Sequence, residues 1–284
     1  MFERFSRSWA LIKASASVLQ KDKELLVFPA VSSVAAIIVA ASFLAPLFLM
    51  IQGNPDAFES KELSPVWYVW AFAFYMTQYF VIFFFNTALV GAASIRLEGG
   101  DPTVADGLRI AWSKVGTILG YAAIAATVGM ILRAIEERAG WIGKWVAGLL
   151  GAAWTVVTFM VVPILVHRDI GPMDAVKESA KLLKETWGEN LIGQGGVGLI
   201  FGLIQFGLWA LVGFLAVAMV ATKSVGLVVT VIVLGFLASL ILALLQSALA
   251  GIYSAALYRY AVGHVNAPEF SGELLQRAFS VKGR

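Results

Sequence analysis

Long apolar stretches alternate along this chain with short polar ones. Six of the apolar stretches, roughly 25–51, 65–92, 115–132, 145–166, 191–220 and 225–258, approach or exceed the ~20 helical residues that cross a hydrocarbon core. The third is the shortest. The last carries no charge between Lys223 and Arg259 and has no turn in which to hide two spans, so it predicts one long tilted helix projecting past the membrane. The polar stretches have a helical period of their own. Residues 1–20 place Phe2, Phe5, Trp9 and Ile12 on one stripe, with Arg4, Arg7 and Lys13 elsewhere on the wheel. Asp101-Pro102 is a helix start, with aspartate as N-cap and proline in the first turn. Val104, Leu108, Trp112 and Val115 form the stripe that follows. Gly171-Pro172 opens a third segment, whose stripe is Met173, Val176, Ala180, Leu183 and Trp187, opposite Lys177, Lys181 and Lys184.

These segments have two readings. They lie in the membrane interface, with Trp9, Trp112, Trp187 and the three lysines among lipid headgroups, or they are cytoplasmic helices packed on one another. The order reads as a threefold repeat of amphipathic helix plus two-span hairpin. The second and third units match best, because Trp112-Ser113-Lys114 and Trp187-Gly188-Glu189 each lead directly into a span. The first departs, with Lys21-Asp22-Lys23-Glu24 in the matching place. The expected fold is therefore all-α: one polytopic membrane domain over 1–284, with six transmembrane helices, cytoplasmic-side amphipathic helices and a cytoplasmic tail at 263–284.

Composition sharpens the class. Apolar residues make up 60% and charged ones 14%, against about 25% charged in ordinary soluble domains, so a polar shell cannot be built. The net charge of +3 raises nucleic acid as a partner. The basic residues flank apolar spans instead of forming a basic face, so none is expected. Of the 21 Lys and Arg, Lys61, Arg133, Arg138, Lys144 and Lys223 fall in the outer loops and the other sixteen in the inner segments, if the N-terminus is cytoplasmic. That bias puts both termini inside, in a bacterial cytoplasmic membrane. Trp67, Tyr68 and Trp70, with Trp141 and Trp145, then sit at the outer interface. Arg133 and Glu137 are spaced for an i,i+4 pair. The N-terminal run lacks a small-residue cleavage site and reads as leading into an uncleaved first span.

Three stretches carry a resemblance. Ile131-Leu132-Arg133-Ala134-Ile135-Glu136-Glu137-Arg138-Ala139-Gly140, Ala153-Trp154-Thr155 with Val162-Pro163, and Glu178-Ser179-Ala180-Lys181-Leu182-Leu183-Lys184-Glu185-Thr186-Trp187-Gly188 resemble an uncharacterised bacterial integral-membrane family, catalogued as a domain of unknown function. The third amphipathic segment is also similar to the juxtamembrane helix of membrane domains attached to some glycerophosphodiester phosphodiesterases, though no phosphodiesterase domain accompanies it. The resemblance implies six spans and no established activity.

Candidate chemistry is sparse. The chain has no cysteine and two histidines, His167 and His264, outside any H-E-x-x-H, G-x-S-x-G or P-loop pattern. A site joining His167, Asp169 and His264 is weighed against two histidines near headgroups, and the second is favoured. No catalytic residue, metal ligand or cofactor is expected. The spans themselves hold no Asp, Glu, Lys, Arg or His, which lowers the case for proton or ion coupling. Their polar residues are amides and hydroxyls, among them Gln78, Asn86, Gln194, Gln205, Gln246 and Ser247. These either hydrogen-bond between helices or line a polar pathway. Gly198 and Gly202 form a GxxxG, and Gly148 with Ala152 a small-xxx-small pair, for packing within the bundle, self-association or a flexible helix. Pro29, Pro46 and Pro163 are candidate kinks. The function expected is non-enzymatic: a lipid-associated scaffold or lipid transporter, with membrane lipids, anionic ones included, as partners. A passive small-solute channel, an accessory subunit of a membrane complex and a homo-oligomer are the alternatives.

Overall fold

The computed structural model describes residues 2–53, 65–138, 140–187, 196–220, 223–263 and Phe270. Among the described residues the regular elements are all helices. Helix α1 spans Phe2–Lys21, and a 3-10 turn at Lys23–Leu26 leads into α2, Val27–Gly53. Then come α3, Pro65–Leu97; α4, Val104–Ser113; α5, Val115–Arg138; α6, Gly140–Val157; α7, Val161–His167; α8, Pro172–Trp187; α9, Gly196–Val220; and α10, Val225–Ala261. Among the described residues six stretches are long and apolar enough to cross a membrane: Lys23–Met50, Pro65–Leu97, Val115–Arg138, Gly140–His167, Ile200–Val220 and Val225–Ala261. The six apolar runs of the sequence are thus six helical stretches. Residues 191–195 and most of the 263–284 tail lie outside the described residues.

The chain falls into two compact units. One comprises residues 27–92 and 102–186, the other 1–26, 93–101 and 187–284.

In the first unit α2 and α3 run antiparallel. Phe43 meets Trp70 edge-on at 5.2 Å and Phe74 at 5.5 Å, while Gln78 Nε2 donates to Ala36 O at 3.0 Å. Phe83 stacks on Tyr121 at 4.4 Å, fixing α3 beside α5. Helix α4 starts on a capping box, the Asp106 amide donating to Thr103 Oγ1 and the Thr103 amide to the Asp106 carboxylate. Those bonds from Thr103, with Arg109 beside it, hold the Asp106 carboxyl below its ordinary range. The capping residue is Thr103, two places after the aspartate expected from the sequence.

The buried side of α4 is made of small residues, Gly107 and Ala111. A Cβ on Gly107 would sit 2.5 Å from Phe28 Cζ and 2.7 Å from Ala88 O, so α4 lies this close only because that position is glycine. Of the bulky stripe, Val104 and Leu108 are partly buried. Trp112 is 63% exposed, with its ring edge-on to Phe84.

In the second unit α9 and α10 form an antiparallel hairpin, joined by Gln205 Nε2 donating to Ser239 Oγ and by Val212 packed on Gly235. Helix α10 has 37 residues, about 55 Å at 1.5 Å per residue, against a core of about 30 Å. Its burial changes along its length. Gly235 apart, the buried positions run from Ala248 to Tyr258, and the earlier turns expose Val225, Val229, Val233, Phe236 and Leu240. Helix α1 packs on both α9 and α10. Its inner face is Leu11, Ile12, Ser15, Val18 and Leu19. Of the stripe read from the sequence, Ile12 is buried in this face, Trp9 is exposed with Lys13 Nζ 6.0 Å from its ring centroid, and the side chains of Phe2 and Phe5 lie outside the described residues.

Candidate functional site

Span four is interrupted where α8 crosses it. Pro163 has no amide hydrogen to give Phe159 O, and its ring would clash with that carbonyl in a continuous helix. The chain breaks at residues 158–160 instead, placing Pro163 in the first turn of α7. The backbone bonds show the change of register. Thr158 N still donates to Trp154 O at 2.9 Å, but Phe159 N turns to Val156 O at 3.1 Å and Val161 N to Thr158 O at 3.0 Å. Helical bonding resumes with Ile164 N to Met160 O. Val157 O and Met160 N thereby lose their helical partners. Ser179 of α8 supplies both: its Oγ donates to Val157 O at 2.5 Å and accepts from Met160 N at 3.1 Å. Ser179 is fully buried, among Met160, Val161, Ala175 and Leu183, which are nearly or wholly buried too.

Several contacts seat α8 there. A Cβ on Gly120 would lie 2.9 Å from Pro172 Cγ, so α5 approaches the start of α8 closely. Lys114, at the α4–α5 junction, pairs with Asp169 and reaches Arg168 O at 3.4 Å. Arg168 Nη1 pairs with Glu178 at 2.8 Å, tying the linker back onto α8. The buried side of α8 is then Ala175, Ser179, Leu182 and Leu183, rotated from the sequence stripe. Met173 is half exposed, and Val176 and Ala180 are partly buried. Lys177, Lys181 and Lys184 face outward, Lys177 with Asp174 at 3.2 Å. Trp187 ends the helix, and its side chain lies outside the described residues.

A second polar cluster sits in the other unit. Arg96 donates to Lys21 O at 3.2 Å, to Gly100 O at 3.0 Å and to Asp101 at 3.2 Å, while Arg259 pairs with Glu98. Asp22 is 5% exposed and its Oδ2 has no hydrogen-bond partner. Burial pushes its carboxyl above the ordinary range, and the nearby Arg96 charge draws it part of the way back.

The polar span residues fare differently. Gln78 and Gln205 make the interhelical bonds given above. Asn86 and Gln246 are partly buried and Ser247 is exposed, while Gln194 lies outside the described residues. At the glycine motifs, a Cβ on Gly148, Gly198 or Gly202 would meet nothing described within 4 Å, and Ala152 is exposed. A close approach is made at Gly235, which with Ser239 forms a small-xxx-small pair that was not singled out from the sequence. His167 Nδ1 donates to Pro163 O at 2.9 Å; its proposed companion His264 lies outside the described residues. Among the described residues no three His, Asp or Glu side chains are grouped to hold a metal.

Sequence reasoning singled out Pro163 as a kink but not Ser179. The available signal was a serine on the apolar side of an amphipathic helix, where a hydroxyl needs a backbone partner.

The sequence model of a family of unknown function, DUF6159, matches residues 65–267. The chain belongs to this family. The matched region runs from the start of α3 past the end of α10, so it contains the break in span four, α8 and the lysine face. No curated protein matches the chain.

Proposed function

We propose that this protein is a non-enzymatic, lipid-associated membrane protein, a scaffold or lipid transporter, seated in a bacterial cytoplasmic membrane. In this reading both termini are cytoplasmic and the chain repeats amphipathic helix plus hairpin three times. One observation carries it: α8 is seated through its small and apolar side, so Lys177, Lys181 and Lys184 are held outward together. A lysine at an anionic surface contributes about 1 kcal/mol, and three on a fixed helix contribute about 3 kcal/mol without ordering a flexible segment. Exposed Val31, Ile37, Phe48, Phe214, Phe236 and Ile241 leave α2, α9 and α10 a wide apolar surface for acyl chains.

The channel alternative is weakened because Gln78 and Gln205 are engaged between helices. An accessory or self-associating role gains from the open positions at Gly148, Gly198 and Gly202, which would let a further helix approach closely. The test is purification in mild detergent, with bound phospholipid quantified and thermal stability compared in phosphatidylglycerol and phosphatidylcholine. Phospholipid should be retained and phosphatidylglycerol should stabilise preferentially. Replacing all three lysines with glutamine should remove the preference. Stability indifferent to lipid charge, or solute accumulation driven by a proton or sodium gradient in liposomes, would overturn the reading.

A further inference from the structure

We infer that α8 and the break in span four form one mechanical element, with the Ser179 hydroxyl as its pin. Three facts combine. Pro163 prevents the helix from closing over residues 158–160. The two backbone groups so released, Val157 O and Met160 N, belong to consecutive turns on either side of the break, and one hydroxyl bonds both. That hydroxyl is carried by a separate helix, whose own position is set by Lys114, Arg168 and the Gly120 contact. A shift of α8 that withdraws Ser179 leaves two buried backbone groups unsatisfied, and the segments α6 and α7 must then move to find partners. A change in the angle between α6 and α7 likewise separates Val157 O from Met160 N, and Ser179 cannot follow both. The amphipathic helix at the membrane edge and the middle of a span are therefore coupled in both directions.

The coupling is testable because the chain has no cysteine of its own. Spin labels at Lys181→Cys on α8 and Leu150→Cys on α6 occupy exposed positions and report the placement of α8, while hydrogen exchange of peptides spanning 156–162 reports the break. Ser179→Ala should speed exchange at Met160 by about tenfold or more and broaden the label distance distribution. Pro163→Ala restores an amide that can bond Phe159 O, so helical bonding can run through. It should slow exchange at Met160 and shift the α8 distribution, because Ser179 loses its partners. The two variants thus move exchange in opposite directions and both move α8. If Ser179→Ala does not fold, Pro163→Ala carries the test alone. An α8 distribution identical to the parent in the variants that fold, or unchanged exchange at Met160 in Ser179→Ala, would overturn the coupling.

Discussion

The contact between Gly235 and Val212 offers the sharpest test of how the α9–α10 hairpin is held. A Cβ at position 235 would stand 2.9 Å from Val212 Cγ1, 3.3 Å from its Cβ, and closer still to Cγ2. Carbon atoms pack at about 3.5–4.0 Å, so Gly235→Ala must push the helices apart by roughly 1 Å or drive Val212 from its rotamer. A β-branched side chain has little freedom to move aside. Overpacking of this kind costs roughly 1–3 kcal/mol, and replacing a helix-interior glycine returns about 0.5–1 kcal/mol. The net loss is about 1–2 kcal/mol, a fall in melting temperature of roughly 2–8 °C for a protein of this size. Val212→Ala removes the clashing atoms, so the double variant should be more stable than Gly235→Ala alone, with a coupling energy of about 1 kcal/mol or more. Gly202→Ala, at a position open to 4 Å, should be neutral or slightly stabilising. The assay is survival of the monodisperse peak after heating in mild detergent. Equal tolerance at Gly235 and Gly202, or a double variant no better than Gly235→Ala, would refute the reasoning.

Two further predictions concern the polar cluster around Arg96 and the orientation. Asp22 has its carboxyl pKa raised by burial, so the native state holds its proton more tightly than the unfolded chain. That contribution is fully present below the ordinary carboxyl pKa and is lost as pH rises through the raised native value. Asp22→Asn should accordingly gain on the parent as pH rises from 4 to 7; a gain that shrinks towards neutral pH would mean that Arg96 stabilises the anion. For orientation, single cysteines replacing exposed Lys144 and Lys184 should differ: an impermeant thiol reagent should label Lys144→Cys in intact cells and Lys184→Cys only after lysis. The reverse pattern would sink the placement of both termini inside.

The sequence made the elements legible but not their contact faces. Hydropathy over some 20 residues is a strong signal, and each of the six apolar runs is helical where it is described. The overlong last run could be read as a projecting helix because its length exceeds the bilayer. Faces were harder, since the sides that pack are built from small residues: Gly107 and Ala111 on α4, Ala175 and Ser179 on α8. A wheel weighted towards bulk points to Trp112 and Met173 instead, which turn outward. The GxxxG at Gly198 and Gly202 illustrates the same limit. Spacing says that a helix can be approached, and only the fold says whether anything does; Gly235, paired with Ser239 at the same spacing, makes the contact. The partners of Ser179 were illegible for a different reason, because they exist only once Pro163 has broken a helix some twenty residues away.

The covering of α10 by α1 has a consequence for the order of assembly. Helix α1 leaves the ribosome before its partners α9 and α10, which follow only after residues 22–195. Throughout that interval Leu11, Ile12, Val18 and Leu19 lack the α9 and α10 surfaces, and an apolar helix in that condition is prone to bind whatever surface is nearest. The membrane interface is the natural waiting place, because a stripe that suits α10 suits headgroups and acyl chains as well. A helix that waits there would use its amphipathic pattern in two environments in succession: lipid while the chain is being made, and protein once α10 arrives.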